Sequence, residues 1–324
     1  MMTSRENCLA TIYGEKADYV PLAIDEISIS YLLISFLEQP LQAGNDIWGC
    51  PWISTKEGSL HKPGFKLFEE IDEWEKYVKI PDLDLFDFKA MAEQGKHLMP
   101  HPDPEQKVIS FIDGGGLFLR LCSFMGFENA LISLATDPES CMDLFEALTQ
   151  FRLKFIDKFC EACHVDVYTY GDDIATSSSL FMNPDTYRKV IKPFDKRIAE
   201  HVRSKGMIFE RHCCGKCEDV IPDFIEMGVQ MWQSAQPVNN IAGILDTYQG
   251  RLAVEGGWDS SGAVSRVEAT TEEIRAEVRR CLTEYKKPGF ILWPSLLNEK
   301  GNSVLVGDDR LDDLRDEWEK HRFF

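Results

Sequence analysis

The densest run of chemistry-bearing side chains in the sequence is Glu210-Arg211-His212-Cys213-Cys214-Gly215-Lys216-Cys217. On an extended chain successive side chains alternate between faces, so His212 and Cys214 share a side with Glu210, and Cys213 points the other way. A neutral imidazole nitrogen and a thiolate two residues apart suit zinc, which takes nitrogen and sulfur ligands tetrahedrally and keeps one position open when it is catalytic. Cys217, on the first turn of the helix expected next, is near enough to swing back toward the pair. A lone histidine is more often an ordinary interior residue; the His-Cys-Cys-Gly-Lys-Cys cluster shifts the balance toward a metal.

Acidic groups come next. Asp172 and Asp173 are adjacent and face opposite ways on a strand, so one of them serves as a helix or turn cap as readily as in catalysis. With Glu210 they are the candidate acid–base groups. Gly114-Gly115-Gly116 lacks the spacing of a phosphate-binding loop and reads as a flexible rim turn. Cys160-Glu161-Ala162-Cys163-His164 matches the form of covalent haem attachment, but it sits at the end of an amphipathic stretch where packing thiols explain it better.

These residues need a frame that brings them together. Short apolar runs alternate with amphipathic helical stretches, the pattern of an α/β protein with a parallel sheet. The runs are 20–24, 46–49, 107–112, 165–170, 206–211, 229–234, 251–256 and 289–294. Eight such segments predict a (β/α)8 TIM barrel: one domain over 1–324, with an N-terminal helical extension and an insertion after strand two, the excursion 49–106. Helices are expected over 29–38, 67–78, 128–150, 184–204, 218–227, 271–285 and 309–322, the sixth opened by Thr270 or Thr271 with Glu273 close behind. Barrel enzymes place catalytic groups at the C-terminal strand ends. One mouth would then collect Asp25, Glu26, Asp172, Asp173, His212, Cys214, Gln233 and Glu255. Substrate contacts are expected from Asp25, Glu26 and Gln233, and from Trp232, Trp258 and Trp293, tryptophans at or just past strand ends that would wall a flat or cationic ligand.

The 324 residues carry 35 Lys and Arg against 54 Asp and Glu, a net charge of −19 spread along the chain. Such a field repels nucleic acid and anionic membrane surfaces, and favours a small molecule or a protein as partner. The opening MMTSRENCLATIYGEKADYV has no basic region followed by an apolar run, and no apolar stretch approaches the roughly 18 residues of a membrane span, so a cytoplasmic protein is expected. The ten cysteines, irregularly spaced, are then thiols or metal ligands rather than disulfides.

Several blocks together resemble the uroporphyrinogen decarboxylase superfamily: SRENCLATIYGEKADYVPL, FLRLCSFMGFENALISLATDPE, the long run from YTYGDDIATSSS through FERHCCGKCEDVIPDF, then LAVEGGWDSS and GFILWPSLLN. The resemblance covers nearly the whole chain and implies the same (β/α)8 barrel. Its decarboxylases hold a substrate with many carboxylates through an arginine-bearing motif after the first strand. Here that place reads AIDEISIS, and no arginine lies between Arg5 and Arg120. Carboxylate recognition needs guanidinium or ammonium groups, so the resemblance points to the corrinoid-dependent methyltransferase branch. That branch holds zinc through an H-x-C pair, matched by His212 and Cys214, plus a later cysteine; the corresponding loop here, Pro294-Ser295-Leu296-Leu297-Asn298, has none. Cys217, Glu255, Asp173 or a water would complete the shell. The resemblance thus implies a zinc-assisted methyltransferase moving a methyl group between a small methylated substrate, such as an aryl methyl ether or methylated amine, and the cobalt of a separate corrinoid protein. Asp172 or Asp173 would orient the substrate or exchange its proton. A lyase acting on another carboxylated compound, and a non-catalytic protein that binds a corrinoid partner, are the alternatives.

Overall fold

The computed structural model describes residues 2–40, 42–55, 58–95, 103–299 and 307–324. Its strands are, in chain order, β1 (Ile27–Ile29), β2 (Gly44–Asn45), β3 (Pro51–Thr55), β4 (Gly58–His61), β5 (Val108–Asp113), β6 (Val167–Gly171), β7 (Ile208–His212), β8 (Met231–Ala235), β9 (Ala253–Gly257) and β10 (Phe290–Trp293). Seven of them form a curled parallel sheet in the order β1-β5-β6-β7-β8-β9-β10, and β2, β3 and β4 form a separate antiparallel sheet. The result is a TIM-barrel-like α/β fold. Six of the expected strands are present, each beginning one or two residues after its apolar run starts.

The other two differ from expectation. The run 20–24 is not one strand: Leu22 bridges Leu292 of β10, residues Ala23–Glu26 wind into a helical turn, and β1 then pairs with β5 from Ile27↔Val108. A single short segment therefore touches both edges of the sheet. The turn is fixed by the amides of Asp25 and Glu26, which both donate to the Leu22 carbonyl, and by Arg315, whose guanidinium holds Asp25 at 2.8 and 2.9 Å. The run 46–49 is a turn, not a barrel strand. Asp46 accepts the backbone N–H groups of Trp48 and Cys50 at 3.0 and 2.9 Å, and Gly49 takes φ +82°, a side-chain-directed turn that outcompetes extended pairing.

The period of two along the strands sorts the barrel into layers. Val108, Val167, Ile208, Met231, Ala253 and Ile291 point inward and pack with Cys8 and Ile12 of the Ser4–Ile12 helix, which stoppers the N-terminal end. Outward residues such as Phe111, Tyr168, Phe209, Trp232, Val254 and Leu292 join the larger core beneath the surrounding helices. Two residues beyond the first inward layer come Ser110, Thr169, Glu210, Gln233, Glu255 and Trp293. This second layer is polar, and the site stands on it.

Helix boundaries follow local chemistry. The expected helix 128–150 is two, Phe127–Thr136 and Pro138–Ala162, because Pro138 cannot continue a helix but starts one well behind an Asp137 cap. Thr270 and Glu273 form the capping box of Thr271–Glu284. Only Leu32–Ser35 is helical within 29–38, and Asp309–His321 forms as expected. No single helix among the described residues is long and apolar enough to cross a membrane.

Residues 56–57 and 96–102 of the expected excursion 49–106 lie outside the described residues. The segment just before this excursion is fastened to the barrel by a buried ion network that the sequence did not announce, and Trp52 of the excursion joins that network through Asp46. Arg120 donates to Asp46 at 2.6 Å, Arg152 pairs with Glu38 and, at 2.9 Å, with Asp113, and Trp48 Nε1 donates to Glu38 at 2.6 Å. All five ionisable groups are buried. Glu38 stays below its usual carboxylate range despite burial because Arg152 and Arg120 face it.

Candidate metal centre

Asp173, His212 and Cys214 each offer a ligand atom, and these atoms lie within 4.8 Å of one another. Strand parity puts two of them there: His212 ends β7 pointing inward, and Cys214 follows on the same side. His212 Nε2 is 3.6 Å from Cys214 Sγ and 4.0 Å from Asp173 Oδ1. The third comes from the loop after β6, where the Cys214 amide donates to Asp173 Oδ1 at 2.7 Å. Gly215 makes that approach possible. It takes φ +86°, and a Cβ there would lie 2.4 Å from the Thr176 carbonyl, so only glycine lets the two loops lie together.

The polar layer below orients the imidazole. His212 Nδ1 donates to Gln233 Oε1 at 2.8 Å, and Gln233 Nε2 donates to Glu255 Oε1 at 2.7 Å. This commits Nδ1 and turns Nε2 toward Cys214 and Asp173, the edge that a metal-ligating histidine presents. Beneath, Thr169 donates to Glu210 at 2.5 Å. Burial pushes the carboxyls of Glu210 and Glu255 up, Glu210 to about 7, and the charge of Glu210 raises Glu255 further. At neutral pH the two together hold at least one proton. Burial opposes charge on His212, yet the hydrogen bond and charge of Cys214, with Asp173 and Gln233 behind, push its pKa up to about 10. The centre of the triad favours a positive charge. A divalent cation meets there the donor set zinc prefers, one nitrogen, one sulfur and one oxygen, so the residues fit the metal expected from the sequence.

Other expected site residues lie elsewhere. Cys217 is fully buried, its Sγ 3.4 Å from that of Cys213 on the outer side of β7, because Asn239 clamps the Cys217 amide and the Gly215 carbonyl. Glu255 reaches the triad only through Gln233. Asp172 faces away from His212: its carboxylate accepts the amides of Phe118 and Leu119 at 3.1 and 2.9 Å, at the start of the Leu117–Met125 helix. Burial raises it, while Arg211 and those amides oppose the shift. Of the two adjacent acids, then, Asp172 caps a helix and Asp173 joins the triad. Asp25 is taken by Arg315, and Glu26 is buried at the seam of the split strand. Trp232 and Trp258 are buried, donating to the Cys213 carbonyl and to Ser265.

A cavity of about 660 Å³ opens above the triad, between the barrel mouth and the β3–β4 hairpin. His212, Asp173, Gln233 and Trp293 line one side; Trp52, Leu60, His61 and Phe36 line the other. Trp293, edge-on to His212 at 6.3 Å between ring centres, thus reaches it with Trp52, whereas Trp232 and Trp258 do not. Ser234 was not foreseen. It sits at a register shift between β8 and β9 with φ +62°, a conformation that costs a non-glycine residue about 1 kcal/mol, and this turns its hydroxyl to within 3.3 Å of Cys214 Sγ.

A profile of the uroporphyrinogen decarboxylase (URO-D) family matches residues 54–295. The chain belongs to this family. No curated protein sequence is significantly similar to it. Among solved structures, a methyltransferase from Methanosarcina mazei superposes with a TM-score of 0.71 over 99% of each chain at 14% identity, which shows a shared fold. The 3-keto-D-glucoside 4-epimerase YcjR from E. coli, at 11% identity over 79% of this chain and 89% of its own, reaches a TM-score of only 0.36. Within this URO-D protein the one arginine lining the cavity among the described residues, Arg120, bonds to Asp46 and the Glu38 carbonyl.

Proposed function

We propose that this URO-D protein is a zinc-assisted methyltransferase that moves a methyl group between a small methylated substrate and a corrinoid carried by a separate protein. The convergence of Asp173, His212 and Cys214 at the barrel mouth carries this reading. The methyltransferase from Methanosarcina mazei with which the chain shares its fold supports it. Asp173, His212 and Cys214 would hold the metal in place of a set with a second cysteine. Bound there, zinc would supply a Lewis acid toward the heteroatom that releases or accepts the methyl group.

The chain's own groups do the remaining work. Gln233 keeps the His212 proton on Nδ1, so that Nε2 is always the ligating edge. The Glu210 and Glu255 pair, holding a shared proton below, keeps the floor of the site from accumulating two buried anions. Ser234 offers its hydroxyl to the Cys214 sulfur and moderates its charge. Trp293 and the apolar wall opposite exclude water from a substrate seated above the triad. Decarboxylation of a carboxylate-rich substrate is disfavoured, since Arg120 is buried with its charge already met by Asp46 and Glu38.

Methyl transfer is the direct test. The zinc-loaded protein, a methylated substrate and a reduced corrinoid protein are combined, and formation of methylcobalt is followed by absorbance. Methyl transfer that needs both the zinc and the corrinoid protein is the expected outcome. Carbon dioxide release, or equal turnover without the corrinoid protein, would overturn the proposal.

A further inference from the structure

The wall of the cavity facing the triad carries an imidazole that nothing above uses. His61 ends β4 and lies against Trp52, with ring centres 3.9 Å apart. Trp52 in turn donates through Nε1 to Asp46 at 3.2 Å, and Asp46 is held by Arg120, so the His61–Trp52 pair is anchored to the buried ion network. His61 Nδ1 is sealed from solvent and has no hydrogen-bond partner among the described residues, while the residue itself lines the cavity. The Nε2 edge of the ring is therefore the one turned toward the cavity.

The protonation state follows from the surroundings. Burial and then the charge of Arg120 lower the His61 pKa to about 4, with Asp46 opposing, so the ring is neutral near pH 7. A neutral imidazole carries its proton on one nitrogen only. Beside a guanidinium charge the sealed Nδ1 is better as a lone pair than as a second N–H dipole, which places the proton on Nε2. The cavity wall thus presents one N–H donor with no protein acceptor, and a donor left unmatched when a ligand excludes water is costly. Arg120 offers no alternative, being buried against Asp46 and Glu38.

We propose that His61 donates its Nε2 hydrogen to an acceptor oxygen of the methylated substrate, seating a neutral, flat molecule between Trp52 and Trp293 with its methyl group turned toward Asp173, His212 and Cys214. The assignment rests on the methyltransferase reading for what the triad does, but His61's role is tested by binding alone. The cavity is of the size that takes small ligands.

The probes are 4-methoxyphenol and methoxybenzene, which differ by one hydroxyl, titrated into the zinc-loaded full chain with tryptophan fluorescence as the readout. The wild type is expected to bind 4-methoxyphenol about tenfold more tightly, the worth of one well-placed hydrogen bond. His61→Phe, which keeps the ring against Trp52, should erase that preference while leaving methoxybenzene affinity and zinc content unchanged. His61→Gln, whose amide nitrogen reaches the Nε2 position, should restore most of it. Equal preference in wild type and His61→Phe, equal weakening of both probes, or binding of neither probe to the wild type would each overturn the proposal. Absence of methyl transfer with the preference intact would sink the methyltransferase reading alone; loss of the preference with methyl transfer intact would sink only the role of His61.

Discussion

Two clusters of charged groups lie within the same molecule and are built on opposite terms. The seam between segment 38–48 and the barrel holds Glu38 and Asp46, with Asp113, against Arg120 and Arg152, all buried, with each carboxylate facing a guanidinium. The mouth holds Asp173 and Cys214 around a single imidazole, with Glu210 and Glu255 below and no Lys or Arg in contact with the triad among the described residues. The first cluster completes itself from the chain. The second is left with negative charge and lone pairs directed at one point, and that difference separates a structural network from a binding centre better than burial or residue type does.

Breaking the seam should give the largest effect. Arg152→Leu leaves Glu38 and Asp113 buried without their main counter-charge, and removal of one partner from a buried pair typically costs about 3–5 kcal/mol. Urea unfolding should show a loss of that size; less than about 1 kcal/mol would mean that the seam is not what fastens segment 38–48 to the barrel.

At the mouth the same kind of substitution should do the reverse. Cys214→Ser replaces a thiolate by a hydroxyl that stays protonated and ligates poorly. Zinc content of the protein purified without chelator should drop from near stoichiometric to a small fraction, while stability moves by less than about 1 kcal/mol, since a core of this size stands without a metal. Cys213→Ser, on the outer face of β7, serves as control and should keep its zinc. Retention of zinc by Cys214→Ser, or its loss from Cys213→Ser, would reverse the assignment of inward and outward faces.

The smallest effect concerns Glu26, an acid that belongs to neither cluster. Burial holds its pKa up to about 8, against the opposing hydrogen bond of Tyr19. The unfolded carboxyl ionises near 4.5, so between about pH 4.5 and 8 the folded state binds the extra proton and stability falls as pH rises. Glu26→Gln removes that contribution. Its stability relative to wild type should grow steadily from pH 5 to pH 8 and level off above. A difference independent of pH would place Glu26 in a more solvated setting than the seam of the split strand.

Much of this architecture can be read from residue order, and the parts that cannot share a cause. Parity on a strand needs only the chain itself, so the common side of Glu210, His212 and Cys214 is legible, as are the capping box at Thr270 and six of the strands. Choices between neighbours depend on what lies across space. Asp172 and Asp173 are equivalent until the start of the Leu117–Met125 helix claims the first. Trp232, Trp258 and Trp293 look alike until the outer core takes two of them. Asp46 carries a turn signal, but within an apolar run it reads as strand until its carboxylate is seen to hold two amides and Arg120. The single histidine of the β3–β4 hairpin carries no sequence signal, because its significance comes from the wall it faces.

The Ser4–Ile12 helix, whose Cys8 and Ile12 fill the floor of the barrel, closes the end away from the cavity. Under the proposed methyl transfer, substrate, product and the corrinoid partner would all use the opening beside the β3–β4 hairpin. Reactants that share one entrance queue: whatever binds deepest must arrive before the partner covers the opening and leave after it departs. Turnover would then carry the kinetic mark of a fixed order, with excess partner slowing the enzyme by sealing an empty chamber.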